Sequence, residues 1–301
     1  MRNSFALELA AQAKIDPKIF LVSGDLGYSV LDSFVEEHPE KFLNIGINEQ
    51  SAIGFCTGLA SAGYNVFYYS IANFAVLRCF EQIRNDAVLH NARMTIVGVG
   101  SGFTYASAGY SHWAIEDFGA ISTLEGINIY EPIDPPSTKA AVEKVVQTFG
   151  TKYLRLGKST ENISTKGVKI GSFYVFNPEI TNVSIVITHG SLSTRIHELN
   201  EVNHLKVKII CCVEFPPKFS DILQDLETAN RVIVIEENVH AGGLGSFLER
   251  YLLETGINVK YIWRGVENSH LTFAAGSEEN VQSKFGLDSM SILKLIQNNK
   301  E

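Results

Sequence analysis

Short apolar runs that alternate with amphipathic segments are the feature that most limits the folds open to this chain. Polar residues do not alternate within the runs, and the segments between them carry apolar positions at helical spacing. Uninterrupted apolar strands are typical of parallel sheets covered by helices on both faces. In chain order the runs are IFLVSG, FLNIGI, NVFYYS, MTIVGVG, INIYEP, KYLRLG, VSIVITHG, VKIICCVEF, RVIVIEEN and VKYIW.

The alternation is interrupted by a polar stretch at residues 158–182, after which the same pattern resumes. A chain of 301 residues has room for about two domains. We therefore predict an α/β protein with two doubly wound domains, residues 1–165 and a smaller domain at residues 166–301. The predicted helices of the first domain cover residues 3–14, 49–62, 74–91, 113–124 and 136–149.

Charge and composition exclude several classes of partner. The net charge is −8, which argues against nucleic acids and anionic membranes as partners. The sequence has no apolar run long enough to span a bilayer, and its first residues do not look like a signal peptide. The cysteines lack metal-binding spacing and are expected to be reduced, which is typical of a cytoplasmic protein. They are Cys56, Cys79, Cys211 and Cys212.

The stretch NIGINEQSAIGFCTGLASAG places an acidic residue, Glu49, where an apolar strand gives way to a helix of small residues. One interpretation is an acid in the first helical turn that interacts with the helix dipole, worth about 0.3–1 kcal/mol. The other is a buried acid that serves a ligand at the carboxyl end of a strand, where open α/β sheets place their sites. Local sequence alone leaves both interpretations open.

Two loops carry further polar residues. SGDLGYS, residues 23–29, follows the first strand but is neither a G-x-G-x-x-G fingerprint nor a P-loop, so nucleotide binding has no support here. GSGFTYASAGYSHWAIED brings His112 to the start of a predicted helix that carries Glu116 and Asp117. A single loop histidine is either a solvated or capping residue or part of a site.

A third loop, in EENVHAGGLGSFLERYL, places Gly242, Gly243 and Gly245 at a strand-to-helix turn. Such a turn can hold a phosphate at a helix N-terminus. Close packing of the strand against the helix explains the glycines equally well.

Five segments in this order resemble the carboxyl-terminal half of transketolases, especially transketolases that are split into two subunits. They are also similar to the matching part of deoxyxylulose-phosphate synthase. The resemblance covers nearly the whole chain, and it implies a pyrimidine-binding domain of a thiamine diphosphate enzyme followed by a transketolase C-terminal-like domain. The segments are SGDLGYS, GINEQ with GLASAG, YSIANFAVLRCFEQIRND, AGYSHWAIED and EENVHAGGLGS.

The resemblance assigns roles to four residues. Glu49 matches the catalytic glutamate, whose carboxyl group binds a ring nitrogen of the cofactor and favours the imino tautomer that generates the ylid. That role needs a protonated carboxyl group, which burial among apolar residues favours. Phe74 matches the aromatic residue that stacks on the pyrimidine ring, and Asp25 is also expected to bind the cofactor. His112 matches the active-site histidine near the reacting carbonyl and hydroxyl of the donor.

The resemblance also implies a substrate site. Arg2 and Ser29 match positions that hold a sugar phosphate, and His112 is expected to contact the substrate. Lys158 stands where an arginine is usual, which keeps a charge but loses bidentate binding, and Arg155 is a nearby substitute.

Four further positions depart from the family pattern. Ala108 replaces an acidic residue that contacts a donor hydroxyl, and Gly100 replaces a histidine that contacts phosphate. Ile71 and Leu77 replace two further aromatic residues around the pyrimidine ring. The donor, the acceptor or both are therefore expected to be unusual, with a less phosphorylated or modified sugar as one option.

The family holds the cofactor's diphosphate and its Mg²⁺ with a G-D-G…N motif on the amino-terminal half, and this sequence has no such motif. We therefore expect a partner, the amino-terminal diphosphate-binding subunit, and an active site between the two chains. The expected assembly is a heterotetramer made of two heterodimers.

Three hypotheses for function follow. The first is the pyrimidine-binding subunit of a transketolase-type transferase that moves a two-carbon ketol unit from a ketose, phosphorylated or not, to an aldehyde. The second is the β-type subunit of a 2-oxo acid dehydrogenase or decarboxylase. The loop with His112 and the segment RCFEQIR favour the first, and Ala108 favours the second. The third is a non-catalytic scaffold, against which the joint presence of Glu49, Phe74 and His112 argues.

Overall fold

A computed structural model of the chain describes residues 1–181, 183–267 and 275–298. Residue 182, residues 268–274 and residues 299–301, all within the predicted second domain, lie outside the described part. The α-helices are α1 Arg2–Ile15, α2 Asp32–Glu37, α3 Glu49–Ser61, α4 Ala72–Val76, α5 Phe80–Gln82, α6 Asp117–Ile121, α7 Pro135–Gln147, α8 Leu192–Asn203, α9 Leu223–Thr228, α10 Leu244–Thr255, α11 Glu278–Lys284 and α12 Ser289–Gln297. Short 3₁₀ turns cover Pro39–Lys41, Ala106–Ala108, Tyr110–His112, Ser164–Lys166 and Phe219–Ile222, and a π-helical segment covers Ile83–Val88.

The strands form two sheets. They are β1 Ile19–Ser23, β2 Phe42–Asn44, β3 Asn65–Ile71, β4 Met94–Val99, β5 Asn128–Tyr130, β6 Thr151–Leu156, β7 Val168–Ile170, β8 Phe173–Phe176, β9 Ser184–His189, β10 Lys208–Cys212, β11 Glu214–Phe215, β12 Arg231–Val239 and β13 Lys260–Val266. Among the described residues the first sheet has the order β11-β5-β6-β4-β3-β1-β2 and the second the order β13-β12-β9-β10-β8-β7. Parallel pairs dominate both sheets, which confirms the predicted α/β fold class.

Strand β3 shows why its apolar run is uninterrupted. Val66 and Tyr68 lie in the same buried cluster as residues of α3, whereas Phe67 and Tyr69 lie in the cluster that contains residues of α1 and α7. Successive side chains of a strand point to opposite faces, so both faces of this sheet are covered by helices. The carboxyl ends of β1, β2 and β3 remain at one edge, where the loops that follow them meet.

Some strands pair antiparallel, and the sequence pattern did not predict these pairings. The polar stretch of residues 158–182 contains β7 and β8, which pair antiparallel with each other, and β8 pairs antiparallel with β10. Strand β11 crosses from the second half of the chain to the first sheet, where it pairs antiparallel with β5. Strands β7, β8 and β11 have two to four residues each, and β7 and β11 lie at the edges of their sheets.

The helix predicted over residues 74–91 is divided into α4, α5 and the π-helical segment. A turn at residues 77–79 separates α4 from α5, and the backbone N–H of Cys79 bonds to the carbonyl of Val76 instead of the residue four places back. The Cys79 Sγ also contacts the carbonyl oxygen of Phe74 at 3.3 Å. Arg78 lies in this turn and contacts Phe74, as described below.

The glycine-rich turn before α10 is explained by packing. A Cβ atom on Gly242 would lie 2.3 Å from the Cα of Gly119 in α6, and the backbone of Gly242 has φ +76°. The carboxylate of Glu236 accepts hydrogen bonds from the N–H groups of Leu244 and Gly245 at 2.8 and 2.9 Å. These donors at the start of α10 are therefore already used by a protein carboxylate, which removes the phosphate interpretation.

A buried ionic network joins the two halves of the chain. Arg155 of β6 donates to Asp117 at 2.7 Å and to Glu131 at 2.6 Å. The other oxygen of Glu131 lies 2.6 Å from Nδ1 of His189 at the end of β9. The Nε2 of His189 lies 3.5 Å from Glu236, beyond a good hydrogen bond but close enough for charge attraction. All of these side chains are buried.

The network controls the charge of His189. Burial by itself lowers the pKa of this imidazole, but the carboxylates of Glu131 and Glu236 outweigh burial and raise the pKa to about 9. His189 is therefore positively charged at neutral pH and stabilises the folded state.

We expect the stability of the chain to depend on pH through His189. Because the folded pKa lies above the ordinary value, the contribution is complete below pH about 6.5 and is lost as the pH rises through about 9. The free energy of unfolding should fall by up to about 3 kcal/mol across that window. Urea unfolding at several pH values tests this, with His189→Gln expected to flatten the profile and the exposed His90→Gln to leave it unchanged. An identical profile for His189→Gln would contradict the assignment.

None of the helices in the described residues has the combination of length and apolar character needed to cross a membrane.

Candidate functional site

Glu49 is the first residue of α3 and lies at the carboxyl edge of the first sheet. Its side chain is only 5% exposed. The helix that it begins buries Ala52, Ile53 and Cys56, whose small or apolar side chains allow α3 to pack against β3. This burial favours the interpretation of Glu49 as a ligand-binding acid over a solvent-exposed acid at a helix start.

Phe74 and His112 are brought together from different elements. The ring centroids of Phe74, on α4, and His112, at the end of the 3₁₀ turn Tyr110–His112, are 5.0 Å apart with an interplanar angle of 66°. The Nδ2 of Asn73 donates to the carbonyl oxygen of Ser111 at 3.0 Å, which ties α4 to the histidine turn. The Nδ1 of His112 lies 3.0 Å from the hydroxyl of Ser111.

Arg78 connects Phe74 to Glu49. Its guanidinium carbon lies 4.3 Å from the centroid of the Phe74 ring. Its Nη1 lies 2.8 Å from Oε1 of Glu49. Three sequence-predicted residues, Glu49, Phe74 and His112, therefore form one group, and Arg78 is a fourth member that sequence analysis missed.

Asp25 lies on the exposed loop that follows β1, beside the end of β2. Its carboxylate accepts hydrogen bonds from Asn44 at 2.9 Å and from the hydroxyl of Tyr28 at 2.8 Å. These two hydrogen bonds lower the pKa of Asp25 below its ordinary value. Ser29, on the same loop, has φ +63°, and its N–H lies 3.2 Å from the carboxylate of Asp32.

Arg2 is exposed at the start of α1 and lies near the buried hydroxyl of Tyr69 on β3. Tyr105 is near the same hydroxyl and explains why residue 100 is glycine. A Cβ atom on Gly100 would lie 2.2 Å from the ring of Tyr105, and the backbone there has φ +88°. The aromatic ring thus fills the space that a side chain at position 100 would need.

The geometry argues against the predicted phosphate contact of Arg155. Its side chain is 1% exposed, and its guanidinium is engaged by Asp117, by Glu131 and by the carbonyl oxygen of Ala114. A guanidinium held by two carboxylates in the protein interior serves the fold. The sequence interpretation of Arg155 as a substitute for Lys158 is therefore wrong.

Lys158 is exposed and lines a polar cavity of about 220 Å³ together with residues of α8, β12, α11 and α12. Ser191, Arg195, Glu237 and Glu278 are among the other lining residues. The proposed contact of Lys158 with substrate remains a prediction.

The loop around His112 differs from its predicted form. Helix α6 begins at Asp117 and is short, so His112 lies on the separate 3₁₀ turn and not at the start of a helix. Ala108 is exposed on the preceding turn. Glu116, whose pKa is raised by burial, accepts a hydrogen bond from the hydroxyl of Tyr110 at 2.6 Å.

The family model for the pyrimidine-binding domain of transketolase matches residues 1–162. The chain belongs to the transketolase family. The matched region contains α1 through β6 and includes the group formed by Glu49, Phe74 and His112.

Relatives of similar length cover almost all of this transketolase-family chain. An apulose-4-phosphate transketolase subunit from Phocaeicola vulgatus is 26% identical over 97% of this chain and 95% of its own. A putative transketolase C-terminal section of Methanocaldococcus jannaschii is 25% identical over 98% of this chain and 95% of its own. Among solved structures, a split-gene transketolase in an inactive β4 tetramer has a TM-score of 0.83, with 25% identity over 98% of this chain and 96% of that one.

The transketolase family uses thiamine diphosphate, and the Glu49–Phe74 pair fits the cofactor's pyrimidine. The pair already holds a flat, nitrogen-bearing group: the guanidinium of Arg78 lies over the Phe74 ring and bonds to the Glu49 carboxylate. An aminopyrimidine offers the same two features, a planar π-system and nitrogen atoms at its edge. The residues present therefore fit this half of the cofactor.

Within residues 1–181, 183–267 and 275–298, no group of three or more His, Cys, Asp and Glu side chains is placed to hold a metal ion.

One sequence signal was available for Arg78. Phe74 and Arg78 are four residues apart, the spacing at which side chains of a helix face each other. The contact with Glu49 had no such signal, because the two charges are far apart in sequence.

Proposed function

We propose that this chain is the pyrimidine-binding subunit of a two-subunit, thiamine diphosphate-dependent transketolase-type transferase. It transfers a two-carbon ketol unit from a ketose donor to an aldehyde acceptor. The observation that carries the proposal is the convergence of Glu49, Phe74 and His112 at one edge of the first sheet. Phe74 and His112 contact each other, and Arg78 joins Phe74 to Glu49.

Each residue of the group has a physical task. Phe74 offers one aromatic face on which a planar ring can stack. Glu49 is buried beside it, where a carboxyl group can bind a ring nitrogen without competition from water. Bound there, the cofactor supplies the carbanion chemistry that breaks and makes the carbon–carbon bond. His112 contacts the Phe74 ring, which supports the proposal that it donates a hydrogen bond to the donor's carbonyl oxygen and carries a proton.

The substrate side of the proposal rests on Arg2, Ser29 and Lys158, all of which are exposed. Asp25, on the loop that also carries Ser29, is proposed to contact the cofactor. The Phocaeicola relative is named for apulose 4-phosphate, which supports a sugar other than the common pentose phosphates. Such a donor is consistent with a loop where Ala108 offers no carboxylate.

The partner is proposed to be the amino-terminal, diphosphate-binding subunit, which supplies the Mg²⁺ ligands. Relatives with this length are named as one subunit of a transketolase or as its C-terminal section, which supports a split enzyme. The inactive β4 tetramer of the split-gene relative supports the view that such a subunit needs its partner. The proposed working form is a heterotetramer in the cytoplasm, where the four buried, unpaired thiols would stay reduced.

A donor assay tests the reaction type. The assembled enzyme, with thiamine diphosphate and Mg²⁺, should use a ketose and an aldehyde to give a new ketose two carbons longer than the acceptor, without release of CO₂. A 2-oxo acid such as pyruvate should not be decarboxylated at a comparable rate. Decarboxylation of the 2-oxo acid without ketose turnover would contradict the proposal and favour the β-type subunit of a 2-oxo acid enzyme. Ala108 is the residue that favours this second hypothesis.

A further inference from the structure

Arg78 occupies the two surfaces that define the proposed pyrimidine site. Its guanidinium carbon is 4.3 Å from the centroid of the Phe74 ring, and its Nη1 is 2.8 Å from Oε1 of Glu49. His112 contacts the same aromatic ring at a steep angle. A ring stacked on the face of Phe74 that Arg78 covers, and bonded to Glu49, would overlap the guanidinium.

The guanidinium of Arg78 resembles an aminopyrimidine in its chemistry as well as in its position. A guanidinium is planar and delocalised, stacks on aromatic faces and presents N–H donors at its edge. These are the properties by which an aminopyrimidine would be recognised at Phe74 and Glu49. Buried Glu49 also needs a partner, because an isolated carboxylate in the protein interior is strongly destabilising.

The side chain of Arg78 is free to move away from Glu49 and Phe74. Its side chain is 43% exposed, so the guanidinium can reach solvent by rotation about its own side-chain bonds. Ion pairs with a half-exposed partner are weak and are screened by solvent. The residue lies in the turn of residues 77–79, between α4 and α5, where no continuous helix fixes it.

We propose that Arg78 is a placeholder for the cofactor: it closes the pyrimidine site of the free chain and is displaced when the pyrimidine takes its contacts with Phe74 and Glu49. This inference rests on the proposed function. The exchange keeps buried Glu49 partnered in both states. Closure by Arg78 also lowers the apparent affinity of the free chain for any pyrimidine. The apparent association constant equals that of the open site multiplied by the fraction of molecules in which the site is open.

Binding of a pyrimidine probe to the isolated full chain tests the placeholder. The probe is 4-amino-5-hydroxymethyl-2-methylpyrimidine, the pyrimidine half of thiamine without its thiazolium or diphosphate. If Arg78 is in place in about nine molecules of ten, Arg78→Met should bind the probe about tenfold more tightly than the unmodified chain by calorimetry. Arg78→Lys should fall between them, because it keeps a charge without the planar fork. Exposed Arg84→Met is the matched control and should leave the affinity unchanged.

A structural readout uses the unmodified chain. With ¹⁵N-labelled arginine, the Nε–H signal that disappears in Arg78→Met identifies Arg78. Saturation with the probe should move this signal toward the position of a solvated arginine. Equal or weaker binding by folded Arg78→Met, or saturation that leaves the Arg78 signal in place, would overturn the inference.

A parallel titration separates the inference from the proposed function. The unmodified chain assembled with the amino-terminal subunit is titrated with thiamine diphosphate and Mg²⁺. Tight binding there, combined with no gain for the isolated Arg78→Met chain, would remove the placeholder alone. Absence of binding by the assembled enzyme would remove the proposed function and the placeholder with it.

Discussion

Replacement of Glu49 by Gln should lower the turnover of the assembled enzyme by about a thousandfold or more, equivalent to about 4 kcal/mol of barrier. The buried carboxyl group is proposed to share a proton with the cofactor's ring nitrogen, and an amide cannot take over that proton. The exposed acid Glu81, on the neighbouring α5, is a matched control, and Glu81→Gln should keep full activity.

The fold should survive the Glu49→Gln change, because the amide has the same size and its partner Arg78 is half-exposed and can turn to water. Circular dichroism, thermal unfolding and subunit pairing should therefore match those of the unmodified chain. If assembled Glu49→Gln keeps more than about a tenth of the activity, a barrier change below about 1.4 kcal/mol, the proposed role of Glu49 is wrong.

The second large effect is expected from the partner subunit. Purified alone, the chain should show no turnover and bind thiamine diphosphate weakly or not at all, with or without Mg²⁺. The described residues offer the pyrimidine half of a site and no group of metal ligands. Most of the binding energy should come from the charged diphosphate and its metal, where ionic contacts are strongest. Addition of the amino-terminal subunit should restore both binding and catalysis.

Calorimetry on the isolated chain, with and without Mg²⁺, provides the measurement. The Glu49→Gln chain is the control for assembly: mixed with the partner, it should recover subunit pairing without recovering turnover. Micromolar, Mg²⁺-dependent binding of thiamine diphosphate by the isolated chain would contradict the split-enzyme proposal.

Exposed apolar side chains near the site agree with a missing partner. Ile47, two residues before Glu49, is 71% exposed, and Tyr28, beside Asp25, is 73% exposed. Tyr110, near His112, is 45% exposed. A partner that covers these side chains would remove their apolar surface from water. The isolated chain is accordingly expected to self-associate when the partner is absent.

The sequence predicted the fold best where the pattern was local and strong. Strands β1, β3, β4 and β12 match the predicted apolar runs, because strands buried on both faces are rich in apolar side chains. Strands β7 and β8 were hidden in a polar stretch, and β11 paired with a distant partner. Pairing of edge strands depends on chain segments far apart in sequence, so a local pattern does not contain it.

The sequence also predicted Glu49, Phe74 and His112 as members of the proposed site, but not Arg78 or its contacts. The order of several motifs along the chain identified Glu49, at a strand-to-helix junction, together with Phe74 and His112. The turn that divides the helix predicted at residues 74–91, and the ion pair that Arg78 in this turn forms with Glu49, were not visible in the sequence pattern. A helix break caused by a few local hydrogen bonds leaves little trace in the spacing of apolar residues.

The two arginines show most clearly what the tertiary structure decided. By type and position, Arg155 looked suited to a substrate phosphate, while Arg78 appeared only within the segments YSIANFAVLRCFEQIRND and RCFEQIR. The fold buries Arg155 between Asp117, 38 residues away, and Glu131, 24 residues away, and leaves Arg78 beside Glu49 at the site. The sequence by itself determined the family, the α/β alternation and the acid, aromatic and imidazole groups. Which charges meet was decided only by the folded chain, because burial and ion pairing depend on side chains that sequence-distant elements bring together.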